Sequence, residues 1–168
     1  MTTDPLQRLI AIEEIKALKA RYFRCVDTKD WAGLETVFAP DIVFDRTYSR
    51  STRDPWTGDW SPPPPSPPWL VHGREAVMAM VRAAIEHLRT VHHGHMPEID
   101  VIDESHATGI WAMSDELRAP DGTLLLAGRG HYHETYIRLA DGWAIASSGI
   151  HRLEILRGPD PAATKGEQ

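Results

Sequence analysis

Hydrophobic and polar positions follow two different periods along this chain, and the change falls near residue 90. In the first part, Leu6, Leu9, Ile10, Ile15, Leu18, Tyr22 and Val26 recur at steps of mostly three to five residues, which reads as one apolar helical stripe. Asp4 is a capping residue, Pro5 suits the first helical position and Gln7 completes a capping box, so the helix is predicted from there to about Asp27 and Thr28. Asp30 to Phe38 reads as a short second helix stopped by Pro40, and Ile42, Val43 and Phe44 as a short strand. Val77, Met80, Val81, Ala84, Ile85 and Leu88 predict a third helix from Gly73 to about Leu88. From Thr90 onward, β-branched and aromatic runs are divided by the turn signals 103–105, 120–122 and 141–142, which predicts strands at 91–102, 107–118, 123–139 and 143–156. Asp121-Gly122 and Asp141-Gly142 supply the positive φ of tight hairpins. Helices first and an antiparallel meander last make an α+β layout, with helices laid on one face of a curved sheet to give a cone with a pocket inside.

Residues 46–72 break both periods. Six of the thirteen prolines fall between Pro62 and Pro68, and four in a row favour polyproline II over helix interior or central strand. The expected organisation is a single domain over 1–157 with this Pro-rich loop inside it, followed by a flexible polar tail at 158–168. A chain of 168 residues is long enough to bury one proper core. Eighteen basic against 24 acidic side chains, a net charge of −6, argue against nucleic-acid and anionic-membrane partners. No apolar run approaches the ~20 residues of a membrane span, and the start lacks a signal-peptide core. With Cys25 as the one cysteine, a cytoplasmic location is expected.

Three clusters carry candidate chemistry: Tyr22 with Asp27 at the end of the first helix, the run Thr90 to His95, and Arg129 to His133 inside the third long strand. Period two puts Arg129, His131, His133 and Thr135 on one face of that strand and Glu134 on the other. A His-x-His pair with a carboxylate on the opposite face has the wrong spacing for a cupin-like metal site, so no metal is expected and a His-ligated metal enzyme stands only as a third reading. Acid–base chemistry by these side chains requires no cofactor. Nucleophile elbows and phosphate-binding glycine loops are missing too. Six tryptophans add a substrate class: Trp111 is placed in the cavity, Trp31 and Trp143 in the core, and an aromatic pocket suits a flat, apolar, ring-containing molecule.

Several local motifs together resemble a known family. They are Ile15 to Tyr22, Asp27 to Trp31, Phe38 to Asp41, Thr90-x-His92 with Ile99 seven residues on, and Gly142-Trp143-x-Ile145. Over about residues 6–156 the chain resembles the SnoaL-like branch of the nuclear transport factor 2-like superfamily. The resemblance implies a cone-shaped, curved antiparallel sheet wrapped by three N-terminal helices, assembled as a homodimer or homotrimer through the sheet. Among cofactor-free dehydratases of that branch, those acting on scytalone and on bile acids, it implies that Asp27 and His92 form a catalytic dyad with Tyr22 as partner. It also puts His131 and His133 at pocket-facing positions, beside Trp111, Tyr48 and Arg46 as substrate-binding residues. Val26, Arg46 and Trp111 depart from the scytalone enzyme, which has tyrosine, tyrosine and histidine there. The expected activity is a cofactor-independent lyase or isomerase, a dehydratase in its most concrete form, acting on a hydrophobic ring-containing small molecule. The departures motivate an alternative, a non-catalytic ligand-binding or accessory protein of the same fold.

Overall fold

The computed structural model describes residues 4–158, so the predicted tail beyond Gly158 lies outside the described residues. The chain runs α1 (Pro5–Thr28), α2 (Trp31–Glu35), β1 (Phe38–Asp45), β2 (Thr52–Arg53), β3 (Trp60–Ser61), β4 (Leu70–His72), α3 (Arg74–Ile85), β5 (Arg89–Val101), β6 (His106–Arg118), β7 (Leu124–Leu139) and β8 (Gly142–Arg157). The four long strands form the predicted antiparallel meander, and Gly122 and Gly142 turn its hairpins at φ 93° and 117°. Those angles lie where any side chain is strained.

The sheet is mixed rather than purely antiparallel. β8, the last strand of the meander, has a free edge, and β1 and β2 both dock on it in parallel. β4 then pairs with β1, and β3 with β2. This recruitment shortens the second helix. Val37 and Phe38, predicted in α2, are buried against β8 instead, with the Ile145 N–H donating to the Val37 carbonyl at 2.9 Å. Pro40 does not stop a helix. It sits where the β1–β8 register shifts between Phe38 and Val43, a place that needs no ladder N–H. Residues 46–72 are likewise tied down by β2, β3 and β4, and only 62–69 form a continuous stretch without regular structure of that length.

α1 crosses the inner face of the sheet and buries Ala11, Ile15, Leu18, Lys19, Tyr22, Cys25 and Val26. Leu6, Leu9 and Ile10, predicted in the same stripe, are exposed. At about 100° per residue they fall on the far side of the helix from Ile15, whereas Lys19 falls inside the buried arc. Asp4 occupies the N-cap position ahead of Pro5, but its side chain makes no capping hydrogen bond. Facing α1, the sheet contributes Trp111, Met113, Tyr132, Tyr136 and Ile145 to the core. Two ion pairs are buried among them. Lys19 Nζ meets Glu134 Oε1 at 2.6 Å with both side chains inaccessible, and Glu134 also accepts from Tyr136 and Ser148. Arg152 holds Asp115 through two parallel bonds of 2.8 and 2.7 Å.

Candidate active site

The last turn of α1 and the first residues of β5 meet at Asp27. Alternation along β5 turns Thr90 and His92 inward while Val91 stays exposed. His92 Nδ1 lies 2.7 Å from Asp27 Oδ1, the His92 backbone N–H donates to Oδ2 at 2.8 Å, and the Thr90 hydroxyl donates to Oδ1 at 3.0 Å. Lys29 Nζ steadies this arrangement from behind by donating to Thr90 Oγ1 at 2.8 Å. Burial pushes the Asp27 carboxyl upward, but the bonds from His92 and Thr90 outweigh it and hold the group below the usual carboxylate range. A carboxylate in this position accepts a hydrogen bond from Nδ1–H and so keeps the proton on Nδ1, which leaves His92 Nε2 with a free lone pair, the tautomer a general base needs. The His92 side chain is 9 % exposed and the Phe23 ring stacks on it at 6.4 Å.

The same inner row continues beyond the dyad. His92 is paired across the sheet with Asp115, and Asp115 with Gly128. Glycine at 128 leaves the space that the Arg152 guanidinium occupies; a Cβ there would collide with it. Burial on its own favours loss of the Arg152 proton, but the Asp115 carboxylate more than compensates, so the guanidinium stays charged. Arg152 Nε donates to the Ser49 carbonyl at 3.0 Å. This Asp115–Arg152 pair is absent from the candidates the sequence offers. Its one signal is parity, since Asp115 is in phase with Trp111 and Met113 on β6.

Tyr22 is buried, packed edge-on against Phe23, Phe38 and Tyr132. Burial, and then the Glu134 charge, push its hydroxyl well above the ordinary phenol value, so it can serve as a proton donor and not as a base. Lys19 Nζ sits over the Tyr132 ring at 3.6 Å and the Tyr22 ring at 4.4 Å. Trp111 lies in the same interior, its Nε1 donating to Tyr136 at 2.7 Å.

The SnoaL-like domain family matches residues 7–148. The chain belongs to that family. This SnoaL-like chain is 24 % identical over 154 residues to a probable cyclase of Gibberella zeae, covering 83 % of the chain and 89 % of the relative. A candidate scytalone dehydratase of Novosphingobium aromaticivorans superposes with TM-score 0.71 at 16 % identity, covering 95 % of this chain and 96 % of that one. A hexachlorocyclohexane dehydrochlorinase of Novosphingobium barchaimii gives TM-score 0.68 at 14 % identity, covering 92 % and 94 %. These two likenesses are of fold.

Within the SnoaL-like domain, the remaining predicted site residues lie elsewhere. On β7 the buried positions are Gly128, Gly130, Tyr132, Glu134 and Tyr136, so His131 and His133 occupy the opposite, outer face of the sheet. Period two correctly groups them with Arg129 and Thr135. It does not say which face is inner, and the large Tyr132 and Tyr136 side chains take the core while Lys19 satisfies Glu134. Tyr48 joins the outer group, with its ring 4.8 Å from His151 and 4.3 Å from Trp60. Arg46 begins the turn after β1, bonded through its backbone to Trp69 and Ser49. The eight residues therefore divide into Asp27, His92, Tyr22 and Trp111 inside the cone, and His131, His133 and Tyr48 outside it, with Arg46 in the turn. Among the described residues, no three His, Cys, Asp or Glu side chains are arranged to hold a metal ion, and no helix is long and apolar enough to cross a membrane.

Proposed function

We propose that this SnoaL-like domain is a cofactor-independent lyase or isomerase, and specifically a dehydratase of hydrophobic ring-containing small molecules. The observation that carries the reading is the 2.7 Å contact between Asp27 and His92, with the Asp27 carboxylate held by three donors. In the proposed reaction, His92 Nε2 removes a proton from the carbon next to a carbonyl, and Asp27 stabilises the imidazolium that forms. The electron pair passes through the enolate and expels the β-hydroxyl, which departs as water with a proton from the Tyr22 hydroxyl. His92 then returns its proton to the Tyr22 oxygen, directly or through water. Tyr22 and the charged Arg152 are the groups on the inner face suited to a developing oxyanion. Return of the proton from His92 to a different carbon gives the isomerase version. The aromatic interior of Phe23, Trp111 and Tyr132 favours a flat, apolar substrate. Similarity to a probable cyclase, and the fold shared with a dehydrochlorinase, support the reaction class more than any one substrate.

The test does not require the natural substrate. Cyclic β-hydroxy ketones are incubated with the protein in D2O, and α-proton exchange and water loss are followed by NMR. His92→Ala is expected to lower both by about 10²–10⁴-fold with unchanged circular dichroism. Full activity in that variant overturns the proposal. Tight binding of the ketones by the wild type, with neither exchange nor elimination, would establish the ligand-binding alternative instead.

A further inference from the structure

The outer face of the sheet carries a second organised cluster, separate from the dyad. His131 and His151 are cross-strand partners on β7 and β8, and the His133 ring lies 4.3 Å from that of His151. His151 in turn meets Tyr48 and Trp60 edge-on, at 4.8 and 5.4 Å. Tyr48 and Trp60 both belong to the segment 46–61 that folds over this face, and their rings pack against each other, tilted by 37°, at 4.3 Å. His151, backed by His133 and His131 on β7, thus forms the seat on which a segment with few ladder pairs rests. β2 and β3 add two residue pairs between themselves, and β2 a single pair to β8. A cavity of about 310 Å³ opens beside the cluster, lined by Arg53, Trp60, Glu98, Ile110 and the three histidines among others.

We propose that this cluster is an acid-operated latch, which holds segment 46–61 on the sheet while its histidines are neutral and releases it when they take up protons. The charged and titratable groups around it come from every neighbouring element: Asp45 from β1, Tyr48 from the turn, Arg53 from β2, Glu98 from β5, and Arg152 from β8, whose charge is already matched by Asp115. Arg129 and Glu154 in the next row pair with each other. One imidazolium on His151 is tolerated, because Asp45 is near enough to favour its charge. A second on His133 puts two like charges in rings 4.3 Å apart, with Arg53 adding to the repulsion. Burial, followed by the neighbouring histidines, already lowers both His133 and His151 below the ordinary imidazole value. Groups whose closed-state values are depressed in this way favour the closed state above the free-imidazole value and lose that contribution as the pH falls below it. Opening carries Arg53 away and admits water to screen and solvate the imidazolium rings, which stay on β7 and β8. It also withdraws the Ser49 carbonyl from Arg152, so the outer latch is wired to the inner row beside His92.

The test is the accessibility of Trp60 to acrylamide, taken as the fluorescence difference between wild type and Trp60→Phe as the pH is lowered. Trp60 quenching is expected to rise to that of a fully exposed indole, with a midpoint below 6.5 and a slope steeper than a one-proton curve, while far-UV circular dichroism stays native. The variant His133→Gln/His151→Gln, with no titratable ring at either position, is expected to keep Trp60 shielded through the same range. Arg53→Gln, which removes a repulsive charge from the closed state, is expected to move opening to lower pH. The latch is refuted if Trp60 stays shielded in acid. It is equally refuted if the double glutamine variant opens as the wild type does, or, should that variant not fold, if Arg53→Gln leaves the midpoint unchanged or raises it.

Discussion

Asp27→Asn is the most informative single change, because it removes a charge while keeping the shape. The carboxylate accepts three hydrogen bonds, from the His92 ring, the His92 backbone N–H and the Thr90 hydroxyl. An amide has one acceptor oxygen, so its NH2 must face one of those donors. If the NH2 faces the ring, His92 Nδ1 has to become the acceptor and Nε2 carries the proton, which leaves no base. If the NH2 faces the backbone N–H, a donor is left unpaired. Hydrogen bonds to a charged group contribute about 1.5–3 kcal/mol each, but the carboxylate is partly solvated and some are replaced, so the expected loss of stability is about 1–3 kcal/mol. Turnover is expected to fall by about 10²–10⁴-fold through loss of the basic tautomer. ¹⁵N NMR of the His92 ring reports the tautomer directly, elimination and exchange report the rate, and calorimetry the stability. The stability gap also has a signed pH dependence. The Asp27 value is depressed in the folded protein, so its contribution is present above the ordinary 3.8 and disappears as the pH falls through the lower folded value. A variant that turns over at the wild-type rate, or that loses activity with the Nε2 lone pair still in place, refutes the tautomer-setting role of Asp27.

Two further expectations concern the interior. Lys19→Met leaves Glu134 buried without its cation and should cost about 3–5 kcal/mol in urea unfolding. Lys19→Met/Glu134→Gln removes the charge and keeps an acceptor for one of the Tyr136 and Ser148 hydroxyls, while the other can turn to accept from the amide NH2, so it should cost markedly less. A single variant within about 1 kcal/mol of wild type would contradict the pairing described. Tyr22→Phe keeps the edge-on packing and removes only the hydroxyl, so kcat should drop with KM and Tm nearly unchanged, and the pH–rate profile should have no phenol limb in either protein because burial keeps the Tyr22 hydroxyl protonated. A variant with undiminished kcat would remove Tyr22 from the reaction.

The long strands are legible in the sequence because Asp141-Gly142 and Asp121-Gly122 state where the chain must turn and alternation fills the space between. The Asp27–His92 contact is legible through local motifs on either side of a 65-residue separation. Periodicity alone groups His131 with His133 but cannot choose their face, since that choice depends on how Tyr132, Tyr136 and Glu134 pack against α1. Lys19–Glu134 and Asp115–Arg152 join residues 115 and 37 positions apart, and nothing local to either partner announces the other. Lys19 nevertheless carries a signal, because it falls on the buried arc of α1 where a charged residue demands a partner. The apparent stripe through Leu6, Leu9 and Ile10 fails by simple angular arithmetic: spacing between neighbours is satisfied while direction drifts round the helix.

The docking of β1 and β2 against β8 sets an order on how the chain can be assembled. Phe38 pairs with Ile145 and Thr52 with Arg152, so the strands synthesised early have partners that are made only after the whole of β5, β6 and β7. Until then the apolar run Ile42 to Phe44 has only the three-residue β4 to pair with, and Arg152 is not yet present to neutralise Asp115. Closure of this half of the sheet therefore waits on β8 and is slowed by the long sequence separation of its pairings.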